Sequence, residues 1–336
     1  MGDSRDNLFY RLRRPGELER VEEPLAEELP HPDYVRLQVA ACGICGSDLA
    51  FWRGRPGADY PRTLGHEYCG TVVLCGPQAS GFAAGDRVAV DLNYRCGQCE
   101  YCRTGQSNLC LSSGANRFTG RGFGRYVDLH VSYLRRLPDS LSFRHGALAE
   151  PLSCALHAMD LAHPQADDRI LILGCGSLGT LLAFALSRLH PEIPLSVYDP
   201  LKVRASNLRE SFGVQLLSQP PAQPQFTLIF EASGRTLGFR YAARAAAPAG
   251  RLVVLSRYDG RSSIPLPADF PRRQGRVIFS HLNGDGDTFA RAMDLISAEW
   301  QARYDALLHQ APLEYAAVVL AAMNRSPFNK TILQID

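Results

Sequence analysis

The 336 residues of the chain are enough for two domains, each with its own buried core. Hydrophobic residues make up 46% and charged residues 21%, which is typical of globular proteins and argues against disorder. The formal net charge of +2 gives no electrostatic reason to expect a nucleic acid or an anionic membrane as partner. The sequence has no apolar run long enough to span a bilayer, and its polar start lacks the apolar core of a secretory signal, so we expect a cytoplasmic protein.

Short runs of alternating apolar and polar residues, separated by turns, fill the chain up to about residue 147. The runs at 35–39, 70–74 and 86–90 predict β-strands. This half is therefore expected to form a compact, β-rich domain.

The pattern changes after residue 168, where an apolar run at 169–173 indicates a strand buried on both faces. A glycine turn, a helix at 181–189 and a strand at 195–199 follow, and further strands are predicted at 226–230, 251–255 and 277–279. Because strands alternate with helices, we predict a parallel, doubly wound sheet, so that the chain as a whole is of the α/β class.

The last part of the chain predicts an amphipathic helix at 288–298, a second helix after Pro312 and a strand at 330–335. A terminal strand usually pairs with an existing sheet, so we expect this one to return to the first domain. The predicted domains are 1–147 with 290–336, and 148–289. Ligands commonly bind in the cleft between two such domains.

Four of the ten cysteines lie within fifteen residues, at Cys96, Cys99, Cys102 and Cys110. Four thiolates at this spacing can enclose one tetrahedral Zn²⁺ with no open position, which is a structural site. The surrounding lobe is polar and glycine-rich, so it needs a metal in order to fold. Free thiols, two disulfides or an iron–sulfur cluster are the alternatives.

A second set of metal donors is scattered along the chain. Cys45, His66 and Glu150 offer sulfur, nitrogen and oxygen, and a catalytic zinc needs about three protein ligands and one open position. Because they are far apart in the sequence, their spacing does not show that they share one site. A histidine beside a glutamate is often an ordinary surface residue.

The sequence Gly174-Cys-Gly-Ser-Leu-Gly179 follows a predicted strand and opens a predicted helix, which is the context of a dinucleotide-binding turn. Gly174 would make the turn, Gly176 would admit the pyrophosphate and Gly179 would pack helix against strand. Asp199, at the end of the next strand, predicts a contact with a ribose 2′-hydroxyl and hence NAD over NADP, although the nearby cations at Lys202 and Arg204 temper this preference.

Taken together, these motifs resemble those of the zinc-dependent medium-chain dehydrogenases of the alcohol dehydrogenase superfamily. The resemblance covers nearly the whole chain and rests on six features in a fixed order: the segments 42–48 (CGICGSD), 65–67 (GHE) and 85–88 (GDRV), the cysteine lobe, 150–152 (EPL) and the glycine turn. It implies a GroES-like catalytic domain beside a Rossmann domain. Because Glu150 stands where other members have a second cysteine ligand, the chain looks like the sorbitol, threonine and polyol branch.

The resemblance further implies that Cys45, His66 and Glu150 bind a catalytic zinc, with Glu67 as an adjacent or exchangeable ligand, so that each chain holds two zinc ions. Ser47 is the candidate for a proton relay, since a histidine relay is in doubt where the chain has Leu49 and Ala50. Further cofactor contacts are expected in the glycine turn and in three loops, at Ser177, Leu178, Arg204, Ser233 and Ser256. Ser47 could equally be a turn-capping serine, and Arg204, Ser233 and Ser256 could equally be ordinary loop residues.

The implied reaction is metal-assisted hydride transfer between a secondary alcohol and NAD. A polyol, cyclitol or aminocyclitol is the expected substrate, and Phe51, Trp52 and Phe118 could line its pocket or simply belong to the core. Alternatives are a reductase of a ketone or aldehyde, a dehydrogenase of a threonine-like amino alcohol, and a relative that binds zinc and NAD without turnover. Relatives of this kind form homodimers or homotetramers.

Overall fold

The computed structural model describes residues 6–93, 95–112, 120–258, 266–296, 298–323 and 325–335. The first part is β-rich, and the strands predicted at 35–39, 70–74 and 86–90 are confirmed. Its strands are β1 (Asp6–Arg14), β2 (Glu17–Pro24), β3 (Tyr34–Gly43), β4 (Arg62–Thr63), β5 (Glu67–Cys75), β6 (Arg87–Val90), β7 (Tyr126–His130) and β8 (Leu134–Arg136). Two short helices lie between them, α1 (Gly46–Trp52) and α2 (Glu100–Arg103), and a third, α3 (Phe143–Gly146), follows β8.

Strands β3 and β5 form the centre of the first large sheet and set its register. They run antiparallel from the pair Val35–Cys75 to the pair Gly43–Glu67. On β3 the alternate side chains of Val35, Leu37 and Val39 are buried in one apolar cluster, as the period of two requires. The register therefore brings Glu67, the first residue of β5, directly opposite Gly43.

The second part alternates strands and helices as predicted. Its elements are α4 (Ala149–Ala162), β9 (Ile170–Leu173), α5 (Ser177–Leu189), β10 (Leu195–Tyr198), α6 (Lys202–Phe212), β11 (Gln215–Leu216), β12 (Phe226–Glu231), α7 (Thr236–Ala245), β13 (Ala246–Val254) and β14 (Arg276–Phe279). The strands form a parallel sheet in the order β11-β10-β9-β12-β13-β14.

Strand β9 shows why its sequence is continuously apolar. Ile170 and Ile172 belong to one buried cluster, whereas Leu171 and Leu173 belong to another on the opposite face of the sheet. A strand covered on both faces needs apolar side chains at every position. The doubly wound Rossmann-type arrangement is thus confirmed.

The chain then continues through α8 (Gly286–Leu295), α9 (Ala298–Asp305), β15 (Leu308–Pro312), α10 (Ala316–Ala322) and β16 (Lys330–Gln334). The single helix predicted at 288–298 was wrong in extent: α8 begins earlier, where Asp285 caps it by accepting the Thr288 N–H at 3.1 Å, and it ends at Leu295. Strand β16 pairs with β3, so the predicted return to the first sheet is confirmed. Across the described ranges, every helix is too short or too polar to cross a membrane.

Helix α4 joins the two halves of the molecule. Its buried residues Leu152 and Leu156 share one apolar cluster with Cys69 of the first sheet and Ile172 of the second. The proposed boundary at 289/290 falls inside α8, which packs against α4. The exact domain limits stay a prediction, and the chain rejoins the first sheet at β15.

Candidate functional site

Cys45, His66 and Glu67 meet at the end of the first sheet. Their ligand atoms all lie within 4.8 Å of one another. Cys45 precedes α1, His66 follows the tight turn at Gly65 (φ +85°), and Glu67 opens β5. One sulfur, one nitrogen and one oxygen donor at this distance suit a tetrahedral metal ion such as Zn²⁺.

Asp48 holds the backbone on both sides of this group. Its carboxylate accepts the N–H of Cys45 at 2.9 Å and that of Gly65 at 3.2 Å, and lies 3.7 Å from His66 Nδ1. Carboxylates of this kind orient metal ligands and tune their basicity. The sequence prediction gave Asp48 no role, although an acid three residues after the N-cap, here Cys45, is a known capping signal.

The surroundings of His66 are strongly negative. Burial lowers the pKa of His66, but the neighbouring Cys45 and Asp48 more than offset this and raise it well above its ordinary value. Such a field favours a cation at the histidine. The donor set and its charge therefore fit a divalent metal.

Glu150, predicted as the third ligand, lies on the first turn of α4. Burial raises its pKa to about 7, with His66 opposing the rise and Glu67 adding to it, so its carboxyl group shares the field of the other donors. The thiol of Cys154 lies 3.8 Å from Glu150 Oε1. Within the described part of the chain, the group of donor atoms within 4.8 Å contains Glu67 and not Glu150, so the assignment of Glu150 as a ligand stays a prediction.

Glu67 has a buried counter-ion that sequence reasoning missed. The ammonium of Lys330, on β16, forms an ion pair with Glu67 Oε2 and donates to the carbonyl of Ile44 at 3.1 Å. Both side chains are almost fully buried. A lysine at the start of the predicted strand at 330–335, which also holds Ile332, Leu333 and Ile335, was the available signal, because a buried lysine needs a partner.

Ser47 lies on α1 with its Oγ 3.4 Å from His66 Nε2. One turn later, the Phe51 ring is covered by the guanidinium of Arg62 at 3.4 Å from its centroid. Phe51 and Trp52 both pack against the apolar core of the first domain. Phe118 lies outside the described residues.

The four clustered cysteines also come together, with all four sulfur atoms within 4.8 Å of one another. Backbone N–H groups of Gln98 and Cys99 bond to the sulfur of Cys96 and lower its pKa to about 6. None of the four is in a disulfide. Four closely spaced thiolates without an open position match a structural zinc site.

The glycine turn has the space that a dinucleotide needs. A Cβ on Gly174 would lie 2.8 Å from Ser233 Cα, and one on Gly179 would lie 1.8 Å from the carbonyl oxygen of Gly174, whereas one on Gly176 would meet nothing within 4 Å. Ser177 Oγ, in the first turn of α5, is buried without a hydrogen-bond partner among the described residues. The open backbone and the unpaired hydroxyl at a helix N-terminus fit a phosphate group. Leu178 follows on the same turn.

Asp199 lies just after β10, beside the glycine turn. Its carboxylate accepts the N–H of Cys175 and that of Leu201, each at 2.8 Å. Arg204 donates to the carbonyls of Met323 and Ser326 at 2.9 and 3.0 Å, and so connects α6 with the segment after α10. The contacts of Asp199 and Arg204 with a cofactor stay predictions.

Ser233 and Ser256 follow β12 and β13, at the same edge of the parallel sheet. Ser256 Oγ accepts the N–H of Gly234 at 2.9 Å, which joins their two loops. Ligands bind at this carboxyl edge in doubly wound sheets. The position of the two serines favours a cofactor role, which stays a prediction.

Comparisons with known proteins agree with this architecture. Residues 31–139 match the family model of the alcohol dehydrogenase GroES-like domain. A zinc-type alcohol dehydrogenase-like protein of Haemophilus influenzae is 31% identical over 83% of this chain and 86% of its own length. The sorbitol dehydrogenase of Bacillus subtilis is 31% identical over 73% of this chain and 74% of its own length.

A solved structure extends the likeness to the whole fold. A candidate zinc-binding dehydrogenase of Sinorhizobium meliloti 1021, bound to NADP, superposes with a TM-score of 0.84 at 26% identity, covering 98% of this chain and 99% of that one. The shared sequence, the two-part architecture and the paired groups of metal donors lead to one conclusion. The chain belongs to the zinc-dependent medium-chain dehydrogenase/reductase superfamily, in its sorbitol dehydrogenase-like branch, and is an alcohol dehydrogenase.

Proposed function

We propose that the chain is a zinc- and NAD-dependent dehydrogenase of a secondary alcohol of the polyol, cyclitol or aminocyclitol type. The observation that carries the proposal is the group of Cys45, His66 and Glu67, whose ligand atoms lie within 4.8 Å of one another. Three donors leave a tetrahedral zinc one open position, as in catalytic sites. The four-cysteine group, by contrast, leaves none.

In this proposal each group of residues has a defined task. When bound, Zn²⁺ supplies Lewis acidity toward an alcohol oxygen, and the nicotinamide supplies the hydride acceptor. Cys45 and His66 hold the metal together with one carboxylate: either Glu67, whose ligand atom lies within 4.8 Å of both, or the exchangeable ligand Glu150, whose carboxyl group shares the same field. Ser47, whose Oγ lies 3.4 Å from His66 Nε2, takes up the hydroxyl proton at Oγ while releasing its own toward solvent.

Two further arguments support the cofactor and the substrate class. The fixed carboxylate of Asp199 would accept a hydrogen bond from a ribose 2′-hydroxyl and would repel a 2′-phosphate, which favours NAD. Because the Sinorhizobium structure is bound to NADP, the proposed preference of this chain for NAD over NADP needs a direct test. The polyol class is supported by the likeness to the Bacillus sorbitol dehydrogenase.

The test is a spectrophotometric assay of zinc-loaded protein against polyols, cyclitols and amino alcohols, each with NAD and with NADP. We expect reduced nicotinamide with one polyol or cyclitol class and NAD. The Cys45→Ala variant should abolish it, whereas Cys75→Ala, at a half-buried cysteine outside both metal groups, should not. A preference for NADP would overturn the cofactor assignment, and turnover of amino alcohols alone would overturn the substrate class.

The assay should also be run in the reducing direction, with ketones and NADH, on protein confirmed to hold two zinc ions per chain. No turnover in either direction would contradict the catalytic proposal. It would favour a relative that binds zinc and nucleotide without turnover.

A further inference from the structure

At the carboxyl edge of the parallel sheet lies a buried carboxylate to which the proposed reaction assigns no task. Glu231 is the last residue of β12 and is completely buried. In the sheet, β12 lies between β9, which leads into the glycine turn, and β13, which leads into the loop of Ser256. The side chain is thus at the junction of three loops that surround the expected cofactor position.

The side-chain hydrogen bonds of Glu231 all come from these loops. Its carboxylate accepts the backbone N–H of Ser233 at 2.9 Å, the hydroxyl of Ser233 and the hydroxyl of Tyr258. Its backbone carbonyl accepts the N–H of Leu255 at 3.0 Å. One residue therefore fixes both the loop after β12 and the loop after β13.

The same contacts reach the glycine turn. Ser233, held by Glu231, lies so close to Gly174 that a Cβ there would be 2.8 Å from both Ser233 Cα and Ser233 N. Gly234 donates its N–H to Ser256 Oγ at 2.9 Å, which closes the connection between the two loops. A Cβ on Gly238 of helix α7 would lie 2.1 Å from Ser233 Oγ, so α7 packs closely against the side chain of Ser233.

The charge of Glu231 has no cationic partner among the described residues. A buried carboxylate without a counter-ion is costly, and an apolar residue at the end of β12 would avoid that cost. Burial raises the pKa of Glu231, while the bonds from Ser233 and Tyr258 oppose the rise. What the carboxylate provides in return is an acceptor for three donors that converge from two loops.

We propose that Glu231 is a positioning residue, which presets the loops at 232–235 and 255–258 against the glycine turn and so shapes the dinucleotide-binding surface. The proposal rests on the nicotinamide dinucleotide of the proposed function, and it concerns binding rather than the chemical step. It makes affinity for the nucleotide depend on an acid that does not itself belong to the glycine turn.

The experiment compares NADH and NADPH binding, followed by nucleotide fluorescence, in the wild-type protein and two variants. Glu231→Gln keeps the shape of the side chain but leaves one of its three donors without an acceptor, and Tyr258→Phe removes a single donor. We expect the dissociation constant for the preferred nucleotide to rise about tenfold or more in Glu231→Gln and about threefold in Tyr258→Phe. The KM for the nucleotide should rise with it, while kcat changes less.

The matched control is Asp168→Asn. Asp168 is also a buried carboxylate of this sheet, but it lies at the opposite edge, where it bonds to Thr227 and Arg251. This variant should lose thermal stability and keep wild-type affinity for the nucleotide.

Wild-type affinity in both Glu231→Gln and Tyr258→Phe, with a lowered melting temperature, would overturn the inference and leave Glu231 a purely structural residue. If the folded wild-type protein bound neither NADH nor NADPH, the cofactor part of the proposed function would fall as well. The two failures are therefore distinguishable.

Discussion

The ammonium of Lys330 is ion-paired with the carboxylate of Glu67, 263 residues earlier in the chain. Glu67 also belongs to the metal-donor group with Cys45 and His66. A cation supplied by β16 thus holds the carboxylate of a candidate ligand on β5 in place. Lys330 and Lys202 are the only lysines of a chain that has 36 lysine and arginine residues in all.

Replacing Lys330 by Met should destabilise the protein, because it leaves the Glu67 carboxylate buried and uncompensated. Breaking a buried pair in this way costs about 3–5 kcal/mol. Urea unfolding of metal-free protein measures the effect, and Lys202→Met, on an exposed position of α6, should leave stability unchanged. The double variant Lys330→Met/Glu67→Gln should recover part of the loss. No recovery would show that Lys330 acts by packing and not by its charge.

Replacing Gly43 by Ala should expel the metal from the catalytic group alone. The added Cβ would lie 2.2 Å from Glu67 Oε2 and 3.1 Å from Lys330 Nζ, so the carboxylate must move. We expect metal affinity at this group to fall about tenfold or more, and zinc content to drop from two ions toward one per chain. Elemental analysis after dialysis measures this content. Gly46→Ala, where a Cβ would meet nothing within 4 Å, should retain two ions, and equal loss in both variants would contradict the explanation.

Replacing Cys99 by Ser should remove the other ion and loosen the lobe at 95–112. That lobe is joined to the second half by Asn108, which donates to the carbonyl of His281 at 2.9 Å, and by Ser107, which lies 3.5 Å from the carbonyl of Gly284. We expect limited proteolysis to cut the variant within the lobe, as it should cut wild-type protein treated with a chelator. Cys75→Ser serves as the control. Resistance to cleavage in the metal-depleted lobe would argue that it folds without zinc.

The pair of Asp168 and Arg251 should make stability depend on pH in the acid range. Burial raises the pKa of Asp168, but bonds from Thr227, Arg251 and the Gln165 backbone outweigh it, and the pKa lies below the ordinary 3.8. The contribution of the Asp168 carboxylate to the free energy of unfolding is therefore complete above pH 3.8. It is lost as the pH falls through the lower pKa that Asp168 has in the folded protein. Asp168→Asn should cost about 1–3 kcal/mol at neutral pH, measured by urea unfolding. The difference from wild type should shrink below the folded pKa, and a constant difference would contradict this account.

Features with a local signature were predictable from the sequence. The apolar run of β9, the glycine spacing at Gly174 and the cysteine spacing at Cys96 each reflect contacts within a few residues of chain. The return of β16 was predictable as well, since a lone strand must pair with a sheet. The end of α8 was not, because Leu295 is followed by no glycine or proline that would mark it.

Features that depend on residues distant in the chain could not be predicted from the sequence. The sequence offers both Glu67 and Glu150 as acidic ligands. Glu67 adjoins His66 in the chain, but only the fold, with Gly43 of β3 opposite Glu67 of β5, brings Cys45 to the same place and gives Glu67 a ligand atom within 4.8 Å of both. For Lys330 and Glu231 the sequence shows at most a charged residue in a predicted strand, and nothing local identifies its partner. Their roles follow from strands that become neighbours only in the folded sheet.

The pairing of β16 with β3 also has a consequence for the order of events during synthesis. Glu67 leaves the ribosome 263 residues before Lys330, an interval on the order of tens of seconds at ordinary elongation rates. For most of that interval the cysteine lobe can capture zinc, since its four ligands, Cys96 to Cys110, all emerge long before Lys330. The other donor group must wait, with an unpaired acid, until the nucleotide-binding half has emerged and β16 arrives. A nascent chain of this protein is therefore expected to carry its structural metal long before its catalytic centre is complete.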